Sequence, residues 1–207
     1  MKRVRSFHYE VDKRLLDVFF VGLVFVPCIL AGTLLALVAW CSSRGPIFYR
    51  EIRIGRNDKP FRIWKFRTMY VGEERLRRLE EALHAEKDMR IRKQHGDPRV
   101  TPFGRVMRRW SLDELPQLIN VLRGEMSLIG PRPIVNSERK LYGKDFPYYC
   151  AVRPGVSGLW QVSGRSNLTY QERVKLDRRY VDDWSLAMDL EILLKTIPAV
   201  VRTDGAY

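Results

Sequence analysis

Apolar and polar positions are distributed very unevenly along the chain. Residues 15–40, LLDVFFVGLVFVPCILAGTLLALVAW, are apolar almost throughout, with Asp17 as the single charge. About 20 such residues suffice to cross the hydrocarbon core of a bilayer, so the run predicts a membrane-embedded helix. Pro27 falls near its middle. A proline there removes one backbone donor and frees the carbonyl of Leu23, four residues earlier, so the helix is expected to bend. Lys2, Arg3, Arg5, Lys13 and Arg14 precede the run, and Arg44, Arg50, Arg53 and Arg56 follow it. The positive-inside tendency therefore draws both ends to the cytoplasmic side. A re-entrant hairpin that dips into one leaflet and returns satisfies both ends. A kinked transmembrane helix, in which proline is also tolerated, is the alternative. The length of the run, followed by Trp40-Cys41-Ser42-Ser43-Arg44 with no A-x-A-like site, argues against a cleaved signal peptide.

Beyond the run the pattern shortens. PIFYREIRIGRNDKPFRIWKFRTM (46–69) reads as two β-type stretches, 47–54 and 60–66, joined by a Gly-Arg-Asn-Asp-Lys turn. This hairpin is rich in Arg and Lys, either as a solvated strand face or as cations held at headgroup depth. In residues 72–93, Leu76, Leu79 and Leu83 recur at helical spacing among mixed charges, which predicts a surface helix. HGDPRVTPFGRV (95–106) reads as a turn-rich connection. Residues 142–160 mix Tyr, Phe and Trp with Lys and Arg, as an interfacial belt or as core aromatics. Leu186, Leu190, Leu193, Leu194 and Ile197 mark one apolar helix face, for the core or for the membrane.

Ser111-Leu112-Asp113-Glu114 matches the S-x-x-E capping box, with Leu115, Leu118, Ile119 and Leu122 as an amphipathic face behind it. Pro116 is comfortable only in a first helical turn, so the helix should begin at Ser111 to Asp113. Asp113 then sits at the positive end of a helix, where a carboxylate is favoured in its charged form and a phosphate meets free N–H groups. Two readings are open for the acidic pair: an ordinary helix start, or a chemical centre. An ionised aspartate can attack phosphorus, but attack of one anion on another needs cations. A divalent metal on Glu114, or Lys65, Arg67, Arg108, Arg132, Arg153 and Arg165, could supply them.

The 207 residues are 45% hydrophobic, enough for one domain with a core plus an appendage. Formal net charge is +13, from 37 Lys and Arg against 24 Asp and Glu. This excess draws the chain toward nucleic acid, an anionic membrane or a phosphorylated substrate, and the apolar run ranks nucleic acid behind the other two. The three cysteines form no CxxC pair, and His8, His84 and His95 lie too far apart for a zinc site of the usual kind.

The ordered motifs KRLLD, GPIFYREIRIGRN, FRIWKFRTM, RRWSLDELPQLINVLRGEMSLIGPRP, VRPGVSGLWQVSGR and LDRRYVDDWSLAMDLEILLKT resemble the bacterial sugar transferases. These are small monotopic phosphoglycosyl transferases that load a first sugar-1-phosphate onto undecaprenyl phosphate. The resemblance runs from about Val11 to the end of the chain. It implies an α/β, α-rich fold with a re-entrant membrane helix broken at Pro27 (1–44). A small cytoplasmic, membrane-associated catalytic domain (45–207) with a β-hairpin and interfacial amphipathic helices completes it. The implied site on the inner bacterial membrane has Asp113 as nucleophile toward a UDP-sugar, Glu114 holding Mg²⁺ and Lys65 beside the pair. Arg67, Arg108 and Arg132 would meet phosphates, with Arg153, Gly164 and Arg165 at the nucleotide-sugar or polyprenyl-phosphate site. The implied partners are the UDP-sugar, most simply a UDP-hexose such as galactose or glucose, together with undecaprenyl phosphate and anionic lipids, and a homodimer is admitted. Some members carry Ser-Pro at the helix break; here Val26 precedes Pro27, and valine offers no hydroxyl to the freed carbonyl. Two rivals remain: a metal-dependent glycosyl transferase using Asp182-Asp183, and a non-catalytic polybasic membrane anchor.

Overall fold

The computed structural model describes residues 7–42, 45–73, 76–77, 97–164 and 168–201. The apolar run forms α1 (Phe7–Ser42), whose arms Tyr9–Val24 and Val26–Cys41 meet at 63°. The bend lies beside Pro27, as the missing N–H requires. Among the described residues no single helix is long and apolar enough to cross a membrane, although the two arms together meet the length and composition.

In the first arm Tyr9, Lys13, Asp17 and Val21 recur every fourth residue and are buried, one stripe of the helix turned onto the body. Leu15, Phe19, Leu23, Leu30 and Leu34 are exposed. The stripe carries two ionisable groups into the interior, Lys13 ion-paired and Asp17 hydrogen-bonded through one oxygen while its Oδ2 stays without a partner among the described residues. Lys13 Nζ lies 2.8 Å from Asp189 Oδ2, and Asp189 also accepts from Trp184 Nε1 at 2.9 Å and the Tyr180 hydroxyl at 2.8 Å. Asp17 Oδ1 accepts from the Ser127 hydroxyl at 2.9 Å and from the Leu128 N–H at 2.8 Å. Unpaired, either charge would be strongly unfavourable in such surroundings.

β1 (Phe48–Ile54) and β2 (Pro60–Phe66) form the expected antiparallel hairpin. Its connection is tight because Asn57 and Asp58 take left-handed φ of 57° and 61°, which these two residue types tolerate. There follow α2 (Pro102–Arg109), a 3-10 turn (Leu112–Glu114), α3 (Gln117–Leu122), β3 (Ser127–Ile129), α4 (Arg139–Tyr142) and α5 (Phe146–Cys150). The chain continues through β4 (Gly155–Ser157), α6 (Leu159–Val162), α7 (Tyr170–Asp183) and α8 (Leu186–Val201). β3 and β4 pair in parallel. They approach so closely that a Cβ on Gly155 would stand 2.1 Å from Gly130 N, so only glycine fits there. Three buried clusters hold the body together, and α1 contributes Tyr9 to one and Val21 to another.

Two expectations change, and two alternatives left open are narrowed. The connection 95–106 ends in a helix, α2, whose N-cap Thr101 accepts from Gly104 N at 2.8 Å with Pro102 in the first turn; Thr-Pro was a start signal. Behind the acidic pair only part of the amphipathic face is turned out, since Leu115 is half-buried and Leu118 packs against a buried cluster. Ile119 and Leu122 are exposed, while Gln117 and Asn120 are buried, Asn120 because it accepts from Trp64 N and donates to Arg62 O on β2. The aromatics Tyr142, Tyr149 and Trp160 are core residues. On α8 the body side is Asp189 and Ile192, and Leu186, Leu190, Leu194 and Ile197 face outward. Most of the helix expected over 72–93 lies outside the described residues.

Two stability outcomes follow. Lys13→Met leaves the Asp189 carboxylate buried without its cation and should lower stability by about 3–5 kcal/mol, read as a fall in melting temperature. Asp177 is buried, with its Oδ2 accepting from the Tyr142 hydroxyl at 2.6 Å. Burial pushes its carboxyl up to about 7, against the hydrogen bond from Tyr142 and the charges of Arg132 and Arg173. A raised carboxyl pKa makes the folded state hold its proton longer, so this group's contribution is lost as pH rises from the ordinary aspartate range to about 7. Asp177→Asn removes that loss, and the melting-temperature difference, variant minus wild type, should grow with pH across this window. A pH-independent difference would contradict it.

Candidate active site

β2, the 3-10 turn and the Pro131-Arg132-Pro133 segment converge on a cleft of about 930 Å³. α2 ends at Trp110, and the chain reverses through Ser111 at φ 54°, a left-handed conformation rarely taken by serine. Ser111 therefore makes no side-chain cap, and the capping box does not form. The two carboxylates belong to the separate 3-10 turn, and α3 begins only at Gln117. This reversal points Asp113 inward, leaving it 8% exposed.

Lys65 comes from β2 opposite the turn, and its Nζ lies 2.5 Å from Glu114 Oε1. For Glu114 burial raises the pKa, but the Lys65 charge and hydrogen bond outweigh it, with Arg132 and Gln117 adding to them. The carboxyl is held below the usual glutamate range. Asp113 goes the other way. Burial pushes it up and the Glu114 charge adds to this, while Lys65 and Arg108 oppose. The expected helix end is absent at Asp113, since the α-helix begins only at Gln117, and desolvation works against the charged form there. Neighbouring carboxylates held in different environments are the signature of divided chemical roles.

Arg108 is placed by α2. Because Gly104 has no Cβ, which would stand 2.2 Å from Thr68 O, α2 packs against the strand end, and Arg108 Nε donates to Thr68 Oγ1 at 2.9 Å. Lys65, Arg67, Arg108 and Arg132 all line the cleft with Asp113 and Glu114. Arg67 is also buried against the second arm of α1, 3.5 Å from Ala39 O. Arg153 lies elsewhere. It donates to Gly124 O at 2.9 Å and to Glu10 at 2.8 Å, tying the first arm of α1 to the body. Gly164, at φ 138° beyond α6, is not among the residues lining the cleft, and Arg165 lies outside the described residues. Thr68, Gln117, Trp160 and Arg173 also line it. Thr68 and Gln117 sit inside quoted motifs, whereas Arg173 in QERVKL carried no signal.

Asp182 and Asp183 are solvent-facing on α7, paired with Arg178 at 3.3 Å and Arg179 at 3.7 Å, away from the cleft. This surface pairing gives no support to a nucleotide-sugar metal site there. Among the described residues no three His, Cys, Asp or Glu side chains are grouped to hold a metal ion. A single carboxylate such as Glu114 is compatible with Mg²⁺, which takes one or two protein carboxylates and completes its shell with water and substrate phosphates.

The model of the bacterial sugar transferase family matches residues 8–203. The exopolysaccharide production protein ExoY of Sinorhizobium fredii is 44% identical over 202 residues, 95% of this chain and 88% of the relative. The UDP-glucose:undecaprenyl-phosphate glucose-1-phosphate transferase of Caulobacter vibrioides is 40% identical over 209 residues, 96% of this chain and 73% of its own. The undecaprenyl-phosphate galactose phosphotransferase of Salmonella typhimurium is 47% identical over 171 residues, 79% of this chain but 35% of that longer protein.

Lys65→Met should raise the Glu114 pKa, since the largest opposing charge is gone. A ¹³C-carboxyl titration checks this, and an unmoved Glu114 resonance would show that Lys65 does not hold its charge.

Proposed function

The chain belongs to the bacterial sugar transferase family, and from that premise we propose that it transfers a sugar-1-phosphate from a UDP-sugar to undecaprenyl phosphate, releasing UMP. The observation that carries this reading is the buried Asp113 beside a Lys65-paired Glu114 in a cleft lined by arginines. The names of the relatives in Caulobacter and Salmonella support donor and acceptor, and a UDP-hexose, galactose or glucose, is the donor class.

The reaction proceeds in two steps. An Asp113 carboxylate oxygen attacks the phosphorus that bears the sugar. The bond to the bridging oxygen breaks, UMP leaves with the electron pair, and a phosphosugar remains on Asp113 as an acyl phosphate. A phosphate oxygen of undecaprenyl phosphate then attacks the same phosphorus and returns the electron pair to the Asp113 carboxylate. Undecaprenyl-diphosphate-sugar is the product, a lipid-linked first sugar for exopolysaccharide, capsule or O-antigen assembly. Attack of carboxylate on phosphate is opposed by like charge, and Lys65, Arg108 and Arg132 reduce that opposition. The partly desolvated Asp113 is also a stronger nucleophile once ionised than a fully hydrated carboxylate.

Glu114 would hold Mg²⁺, sharing its carboxylate with Lys65. Bound there, the ion would neutralise phosphate charge. The bent α1 acts as a re-entrant anchor with both ends cytoplasmic, and its basic flanks contact anionic lipid of the inner membrane. This depth suits a reaction whose acceptor phosphate is fixed at the interface by a lipid tail while its donor is soluble.

The purified protein in detergent with Mg²⁺ and undecaprenyl phosphate should release UMP from one or more of a panel of UDP-sugars, and Asp113→Asn should lower the rate by about a thousandfold or more. UDP as the product would point to a glycosyl transferase. No nucleotide release from any donor by folded protein would leave the membrane-anchor reading in its place.

A further inference from the structure

The same cleft holds a second group of cations, built around one indole. Trp160 of α6 is buried and lines the cleft. The guanidinium carbon of Arg173, from the first turns of α7, lies 4.7 Å from its ring centroid, and that of Arg132 lies 5.8 Å from the same ring. Both arginines line the cleft as well. Arg132 is close enough to Glu114 to lower its pKa, so the group adjoins the acidic turn.

Nothing described in the protein neutralises these two cations at contact distance. Neither arginine has a carboxylate within ion-pair distance among the described residues, and Arg173 Nε is shut off from solvent with no hydrogen-bond partner there. Asp177, whose carboxyl feels the charge of both arginines, is buried and bonded to Tyr142. Two guanidiniums sharing one ring repel each other, and an anion between them removes that repulsion. A guanidinium lying on an aromatic face keeps its N–H edge free, and that edge matches two phosphate oxygens in a bidentate bond. A lysine-lined wall would supply charge without this geometry.

We propose that Arg173 and Arg132, seated on Trp160, form a phosphate subsite next to the acidic turn, binding a phosphate group of a substrate other than the one under attack. Within the reaction proposed above, on which this assignment of substrates rests, that group is the nucleotide-side phosphate of the donor or the phosphate of the lipid acceptor. Arg173 is a substrate-binding residue in either case.

Steady-state kinetics of Arg173→Gln and Arg173→Lys, in detergent with UDP-galactose or UDP-glucose and undecaprenyl phosphate, test it. Losing a charged bidentate contact should raise one KM about tenfold or more with kcat changed far less, and lysine should recover part of the loss. A rise confined to the UDP-sugar assigns the donor phosphate; one confined to undecaprenyl phosphate assigns the acceptor. If both KM values stay within about twofold of wild type, whether or not melting temperature or kcat falls, Arg173 only packs on the indole and the proposal is overturned. Calorimetric binding of inorganic pyrophosphate separates this from the reaction itself. Should the wild type consume no donor, weaker pyrophosphate binding by Arg173→Gln still upholds the subsite, and equal binding removes it.

Discussion

The arrangement hangs on one buried polar stripe. Lys13 and Asp17 sit one helical turn apart on α1, one meeting Asp189 of α8 and the other Ser127 and Leu128 of β3. Hydrophobic burial alone would attach an apolar helix to the body in many registers, because dispersion and area are indifferent to small slides. Two charges that must find their partners allow one register, since a slip leaves each buried and unpaired. Tyr9 and Val21 then fall into the body's clusters, and the exposed leucines of both arms are left facing outward.

From that fixed register the position of the cleft follows. Asp17 holds the start of β3, whose far end leads through Gly130 into Pro131-Arg132-Pro133 and so into the cleft wall. Arg67, at the end of β2, touches Ala39 on the second arm, so that arm of the bent helix packs behind one of the cations that line the cleft. In the cleft the balance of burial against charge differs for two adjacent residues. Lys65 prevails at Glu114, and desolvation prevails at Asp113. One 3-10 turn produces this difference, by aiming one carboxyl at the strand and the other into the protein.

Much of this was legible in the chain. The apolar run, the proline bend and the hairpin follow from local pattern, because each rests on chemistry within a few residues. Lys65, Arg67, Arg108, Arg132, Asp113 and Glu114 come from four separate segments; residue chemistry named them as candidates, and the motif resemblance collected them into one site. Local rules misread Ser111-Glu114, since a capping box and a left-handed reversal share the same letters. They also misread part of the buried face of α3, where Leu118 packs inward as expected but Asn120 is drawn in by backbone groups of β2 that no spacing along α3 announces. Arg153 is cationic like the others, yet Glu10 claims it. Arg173 looked like any helix-surface arginine until α6 brought Trp160 beneath it.

The proposal that Asp113 carries the sugar-phosphate between donor and acceptor is tested most directly by intact-protein mass spectrometry. The protein is incubated with UDP-sugar and Mg²⁺ in the absence of undecaprenyl phosphate, then mapped by peptide. A mass gain of one sugar-phosphate is expected on the peptide containing Asp113, absent in Asp113→Asn and discharged on adding the lipid acceptor. Full turnover by protein that never shows the adduct, or an adduct on another residue that survives Asp113→Asn, would contradict it.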